Sequence, residues 1–518
     1  MAKRENRALA ARLSSSPRTA PLFDADITEP SEAADIAEPN ETIDATESAD
    51  AAEPTDPTER TEPTEPIESR EPFEAIERKE SSDQRLSEES SSTPRSFSRW
   101  DTFSRVVRMD ERQSGEISRR QLVGGGLAAA GLFALGPAVW DALARPAKRA
   151  KGPYGPLGAP DANGIRLPEG FRSREVARSL VPVGGTSYPW PIFPDGAATY
   201  ERSDGGWILV CNSEVPGGRG GASAIEFARD GSITGAYSIL SGTSTNCAGG
   251  ATPWGTWLSC EEVSAGLVWE CDPKGRSDAV ARPAMGAFKH EAACIDRKSG
   301  YAYLSEDLGE GCLYRFRPER KRDLSAGALE VAVVAEDGRV RWELVPDPSA
   351  ASAPTRDQVP DATRFMRGEG IWWDSGTVYL ATTSDSRIWA YDTERKRIRV
   401  LYDPALIKHP PLLNVDNITV AEKSGDLFVC EDNGGEDPFD IALITPEVDR
   451  ASGTPRAPKV SRFCKLTGPQ HGDPGTRAVS EVTGACFNPR EDRLYFSSQR
   501  GFATGVTYEI SGPFRGRP

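Results

Sequence analysis

The sequence predicts an all-β domain, and three observations carry that expectation. From about residue 150 to 518 no long stretch shows helical periodicity. The apolar segments there are short, rich in β-branched and aromatic side chains, and separated by Gly, Pro, Asp and Asn turn signals. One strand pattern also recurs six times: 207–211 (Trp207-Ile208-Leu209-Val210-Cys211), 256–260, 301–305, 377–381, 426–430 and 493–497. Most copies are followed by a further strand, as at 224–227, 311–316, 387–391 and 506–510. Six copies at intervals of roughly 45 to 75 residues read as a six-bladed β-propeller with insertions, a β-sandwich of similar strand number being the alternative.

Ahead of that domain the chain changes character twice. Residues 24–92 are Glu, Asp, Thr, Pro, Ser and Ala with almost no aromatics, as in Glu62-Pro63-Thr64-Glu65-Pro66. Such a tract buries too little apolar surface to offset its ordering entropy, so residues 1–117 are expected to be a disordered acidic extension. It carries much of the formal net charge of -16, which therefore describes the folded part poorly. Nothing basic and patterned points to nucleic acid.

Residues 118–145 read as an export signal. Ser118-Arg119-Arg120-Gln121-Leu122-Val123 precedes an uncharged Gly/Ala-rich run from Gly124 to Trp140, and a small-x-small site ends at Ala144. A twin arginine before a modest apolar stretch is what a twin-arginine translocase accepts, with Arg119 and Arg120 as its recognition pair. A short transmembrane anchor or a buried helix is the other reading, but a run this short and this rich in Gly and Ala is marginal for spanning a bilayer. Export implies a periplasmic or extracellular protein that folds, and acquires any metal, before it crosses the membrane. Met109 stands just ahead of the signal, so it is a second candidate for the start of translation.

Within the repeats, the strand upstream of each recurring one is the expected innermost strand of its blade. These strands open with Asp195, Cys247, Glu291, Glu369, Asp416 and Glu481. In a propeller the innermost strands line a central channel, so five carboxylates and a thiol at equivalent positions converge on one axis. Like charges so gathered repel strongly unless cations neutralise them, and the pattern therefore implies bound metal. A second acidic set follows five of the six copies, at Glu214, Glu261/Glu262, Glu306/Asp307, Asp385 and Glu431/Asp432. Oxygen ligands in such number suit calcium or another hard cation, and Cys247 suits a transition metal such as iron. With only His290, His409 and His471 present, a His-rich zinc site is not expected. Of the nine cysteines, Cys211, Cys260, Cys294, Cys430 and Cys486 fall inside apolar strands as ordinary core residues, while Cys271 and Cys312 are candidates for a disulfide.

Asn246-Cys247-Ala248, Thr252-Pro253-Trp254-Gly255-Thr256-Trp257-Leu258 and Cys260-Glu261-Glu262 together resemble the signature of the PhoX family of alkaline phosphatases. Asn212-Ser213-Glu214, His290-Glu291-Ala292-Ala293, Arg367-Gly368-Glu369, Asp416-Asn417 and Glu481-Val482-Thr483-Gly484 extend the resemblance across 160–510, and the twin-arginine signal agrees with it. It implies a six-bladed propeller whose axial iron and calcium ions bind phosphate and hydrolyse phosphomonoesters, with no nucleotide cofactor. It also implies that Glu214, Cys247, Glu262, Glu291, Glu369, Asp416 and Glu481 are metal ligands, that Arg367 clamps phosphate, and that phosphorylated small molecules are the partners of a monomer. Two positions depart from the family pattern: Val263 stands where the family has Asn, and Ser213 where it has His. Two other readings of the domain are a calcium-dependent esterase or lactonase propeller and a binding propeller held together by its metals.

Overall fold

The computed structural model describes residues 146–432, 440–448, 455–471 and 480–516. The acidic tract, Met109 and the Arg119-Arg120 segment lie outside the described residues. Those described are all β, with no α-helix and only short 3-10 turns such as Pro283–Met285. They form six sheets, antiparallel apart from the short Lys148–Arg149 strand, which runs parallel to Pro455–Leu466.

Each sheet starts at one of the strands expected to be innermost: Pro194–Glu201, Asn246–Ala251, His290–Ile295, Gly368–Asp374, Val415–Ala421 and Val482–Phe487. These six touch one another in chain order, and the last returns to the first. A closed ring of inner strands with sheets radiating from it is a β-propeller. The recurring sequence pattern is the second strand of each sheet. Trp207–Ser213 is buried along its whole length, as are Thr377–Thr382 and Asp426–Glu431, so both faces of these strands pack on neighbouring sheets and their sequences run apolar without alternation. The core consequently lies between sheets. Leu258, Cys260 and Val268 of one sheet pack on Ala293, Leu304 and Tyr314 of the next, each fully buried aliphatic side chain contributing about 1.5–3 kcal/mol.

The ends of the chain are tied together. Arg172–Arg178 pairs with Val506–Ser511 and completes the sheet begun by Val482–Phe487, while Ile165–Pro168 adds to Pro455–Leu466. All nine cysteines are free, so the candidate Cys271/Cys312 disulfide is not formed; both thiols are buried as small apolar groups.

The ring closes tightly where glycine follows an axial acid, after Asp195 and after Glu369. A Cβ on Gly196 would lie 2.5 Å from Ala248 Cα, and one on Gly370 would lie 2.6 Å from Asp416 O. Only glycine lets adjacent inner strands approach this closely, and that approach draws the preceding side chains together.

Candidate metal centre

Asp195, Cys247, Glu291, Glu369 and Asp416 are each the second residue of an inner strand, and each sits in a β-bulge. The first residue of the strand pairs with the end of the second strand, as in Pro194↔Ser213, Asn246↔Glu261, His290↔Glu306, Gly368↔Thr382 and Val415↔Glu431. The register then slips, so that two inner-strand residues oppose one. A bulge re-aims a side chain without breaking the sheet. Five copies of the same bulge therefore turn five ligand-type side chains onto one axis.

The sixth copy departs from the expected register. Glu481 precedes its strand, Thr483 holds the second position, and the bulge falls between Thr483 and Cys486. Gly484, at φ 62, sits in that bulge, where a Cβ would lie 2.3 Å from Asp195 O. The equivalence of Glu481 with the other five is thus inexact, although its carboxylate still reaches the axis.

Three groups of ligand atoms form there, the atoms in each lying within 4.8 Å of one another: Glu291 with Glu369 and Asp416, Glu214 with Cys247 and Glu262, and Asp195 with Glu214 and Glu481. All seven residues expected as ligands, and Asp195, are brought together. Both carboxylate oxygens of Glu291 are buried with no hydrogen-bond partner, as is Asp195 Oδ1. A buried carboxylate with nothing to bond is costly, so this donor set fits cations.

The electrostatics agree. Burial pushes Glu291 well above the ordinary carboxylate range, with Glu369 next in effect, and burial likewise raises Glu369, Asp416 and Glu481. Asp195 is raised to about 7 by burial and the charge of Glu214. The Cys247 thiol is pushed up by burial and by Asp195. Without cations the site therefore favours the protonated forms of these groups.

The second acidic set divides cleanly. The first acid of each pair holds backbone: Glu261 accepts from Ser244 N (2.9 Å) and Leu267 N (3.2 Å), and Glu431 accepts from Leu413 N (2.7 Å) and Asp440 N (3.0 Å). Glu306 accepts from Cys312 N and Tyr314 OH and pairs with Arg356. The second acid belongs to the site: Glu262 and Asp307 share Lys289 Nζ at 2.6 and 3.0 Å, and Asp432 faces Arg367 at 3.5 Å. Burial raises Glu262 to about 8 despite Lys289. Asp307 is held at about 2, because hydrogen bonds from Arg367 and Glu262 outweigh its own burial. Asp385 does not join the site; it accepts from Thr382 Oγ1 and Arg387 Nη1.

Arg367 is not in extended backbone, as an i, i+2 relation to Glu369 on one strand would require. It has φ 54, held by its N–H to Leu308 O and its carbonyl to Thr383 N. Its guanidinium nonetheless reaches the axis: Nε lies 2.8 Å from Asp307 Oδ1 and Nη2 lies 2.8 Å from Glu369 Oε1, with 38% of the side chain exposed. Sequence reasoning missed Lys289, Gln499 and Arg500. Gln499 was findable, because it holds in the last repeat the post-strand position occupied by Glu214, Glu262, Asp307 and Asp432 in others.

The family model of alkaline phosphatase PhoX matches residues 201–501, more than half of the chain. The chain belongs to the alkaline phosphatase PhoX family. The match spans the start of every sheet but the first, and the PhoX motif residues from Cys247 to Glu481 all fall within it. No curated protein sequence matches the chain. Among solved structures, a gluconolactonase from Xanthomonas campestris is 13% identical with a TM-score of 0.37, covering 70% of this chain and 99% of its own. A structural genomics protein from Bacteroides thetaiotaomicron is 9% identical with a TM-score of 0.40, covering 68% of this chain and 83% of its own. In this PhoX chain Val263 follows Glu262 in the turn closed by Gly266 N to Val263 O, beside the candidate centre.

Proposed function

We propose that this chain is an exported, metal-dependent phosphoester hydrolase, a six-bladed PhoX propeller in which each sheet is a blade. The observation that carries the reading is the partnerless, buried Glu291 carboxylate within a ring of acids capped by a half-exposed guanidinium. Glu291, Glu369 and Asp416 offer oxygen alone and would hold calcium; Glu214, Cys247 and Glu262 include a thiolate and would hold iron; Glu481 completes the set with Asp195. Bound, such ions supply positive charge for the phosphoryl oxygens and fix the phosphate in place.

The chain's own side chains do the rest. Arg367 presents a planar fork of donors at the mouth of the site, and its 3.5 Å contact to Asp432 is loose enough to be exchanged for a phosphate oxygen. Asp307 holds that guanidinium and Lys289 together, so two cationic groups face one incoming anion.

A second reading, a propeller whose metals only stabilise the axis, is favoured by Val263, since the family's Asn at that place contacts phosphate. Arg367→Ala separates the two. For the hydrolase, it should reduce aryl phosphate hydrolysis by roughly 30- to 1000-fold, the equivalent of about 2–4 kcal/mol, with metal content unchanged. A wild type loaded with iron and calcium that releases no phosphate from any phosphoester leaves the stabilised propeller in its place.

A further inference from the structure

Gln499 is fully buried where the last sheet meets the first. Its Nε2 donates to Asp195 Oδ2 at 2.5 Å and to Glu214 Oε2 at 2.8 Å, which uses both amide protons. Its Oε1 is buried and has no partner. Asp195 shows the same division: Oδ2 takes the Gln499 bond and the Cys247 thiol at 3.6 Å, while Oδ1 is buried and bare. Two bare oxygens thus belong to residues joined by one hydrogen bond, and the ligand atoms of Asp195, Glu214 and Glu481 lie within 4.8 Å of one another.

We propose that Gln499 Oε1 is a neutral ligand to a hard divalent cation held by Asp195, Glu214 and Glu481. The inference rests on the metal-dependent reading above and adds a residue to it. Hard cations take six to eight oxygen ligands and accept amide carbonyls alongside carboxylates. An acid at this position would add one more charge to a centre already crowded with them, and it would lack the donors that hold Asp195 and Glu214 in place. An amide supplies an oxygen without charge and two donors that orient the charged partners. The thiol-containing group around Cys247 remains the place for a softer metal.

The test uses the purified folded chain, stripped of metal and titrated with calcium, with bound calcium counted and the melting temperature followed. Gln499→Met removes the oxygen and the donors; Gln499→Glu keeps an oxygen and removes the donors. The proposal expects Gln499→Met to bind one calcium ion fewer. Gln499→Glu should keep the wild-type count, with a lower metal-free melting temperature and a larger rise on adding calcium. If both variants keep the wild-type count, Oε1 is not a ligand. If both lose the same ion, Gln499 acts only as a hydrogen-bond tether, and the proposal falls. A wild type that binds no calcium defeats the underlying metal reading instead, which the variants alone would not.

Discussion

At the scale of single residues, the centre contrasts groups that hold protons with groups that hold charge. Glu262 sits at about 8 and Asp307 at about 2, although both touch Lys289, because Asp307 also receives Arg367. That arrangement predicts distinct phenotypes. Cys247→Ser should lose iron while retaining calcium, as read by elemental analysis, since a neutral serine hydroxyl replaces an anionic thiolate. Val263→Asn should raise phosphoester turnover by offering an amide donor beside Glu262, and an unchanged rate would show that Lys289 and Arg367 already suffice. The acids and the thiol were legible in the sequence because an axial position repeats along the chain, five times in one register. Lys289 and Arg500 were not legible, since their relevance depends on which strand ends meet, and that is fixed by long-range closure.

At the scale of the element, the inner strand and its bulge do the positioning. The bulge leaves a faint sequence mark, a small residue after four of the axial side chains: Gly196, Ala248, Ala292 and Gly370. The residue at which a strand bulges is set by its pairing with the neighbouring strand, and so Glu481 was aligned with residues to which it is not equivalent. Gly370→Ala tests the device. Its Cβ would meet Asp416 O at 2.6 Å and force the Asp416 strand outward. We expect a loss of about 1–3 kcal/mol in stability, read as a lower melting temperature, with weaker calcium binding, because Asp416 moves with its strand. Wild-type stability and metal content in this variant would mean that ring closure does not set the ligand geometry. The Arg172–Arg178 strand was missed for a different reason: its sequence, Arg-Ser-Arg-Glu-Val-Ala-Arg, has little apolar alternation, and only pairing with Val506–Ser511 makes it a strand.

At the scale of the whole molecule, the ring is destabilised by its own charge unless cations bind. In the metal-free protein Asp195 and Glu262 have pKa values raised to about 7 and about 8 from ordinary values of 3.8 and 4.5. Between those limits these two groups bind more protons in the folded chain than in the unfolded one, so their contribution to stability is full below their ordinary values and is lost as pH rises toward 8. The melting temperature of stripped protein should therefore fall from pH 5 to pH 8, whereas calcium and iron should flatten the profile, because ions bound only to the native state stabilise it by mass action. Deleting residues 1–108 should change neither profile, since the folded chain closes on Arg172–Arg178, well beyond the acidic tract; a lower melting temperature for that truncation would refute this. The propeller was legible from its repeats, while its closure and its bulges were not, since both arise from contacts between distant segments.

The most direct test of the central claim is phosphate release from an aryl phosphomonoester by one preparation, assayed as isolated, after chelation and after reloading with calcium and iron. The account predicts hydrolysis that disappears with the metals and returns with them. Hydrolysis that survives complete stripping, or none in the fully reloaded protein, would contradict it.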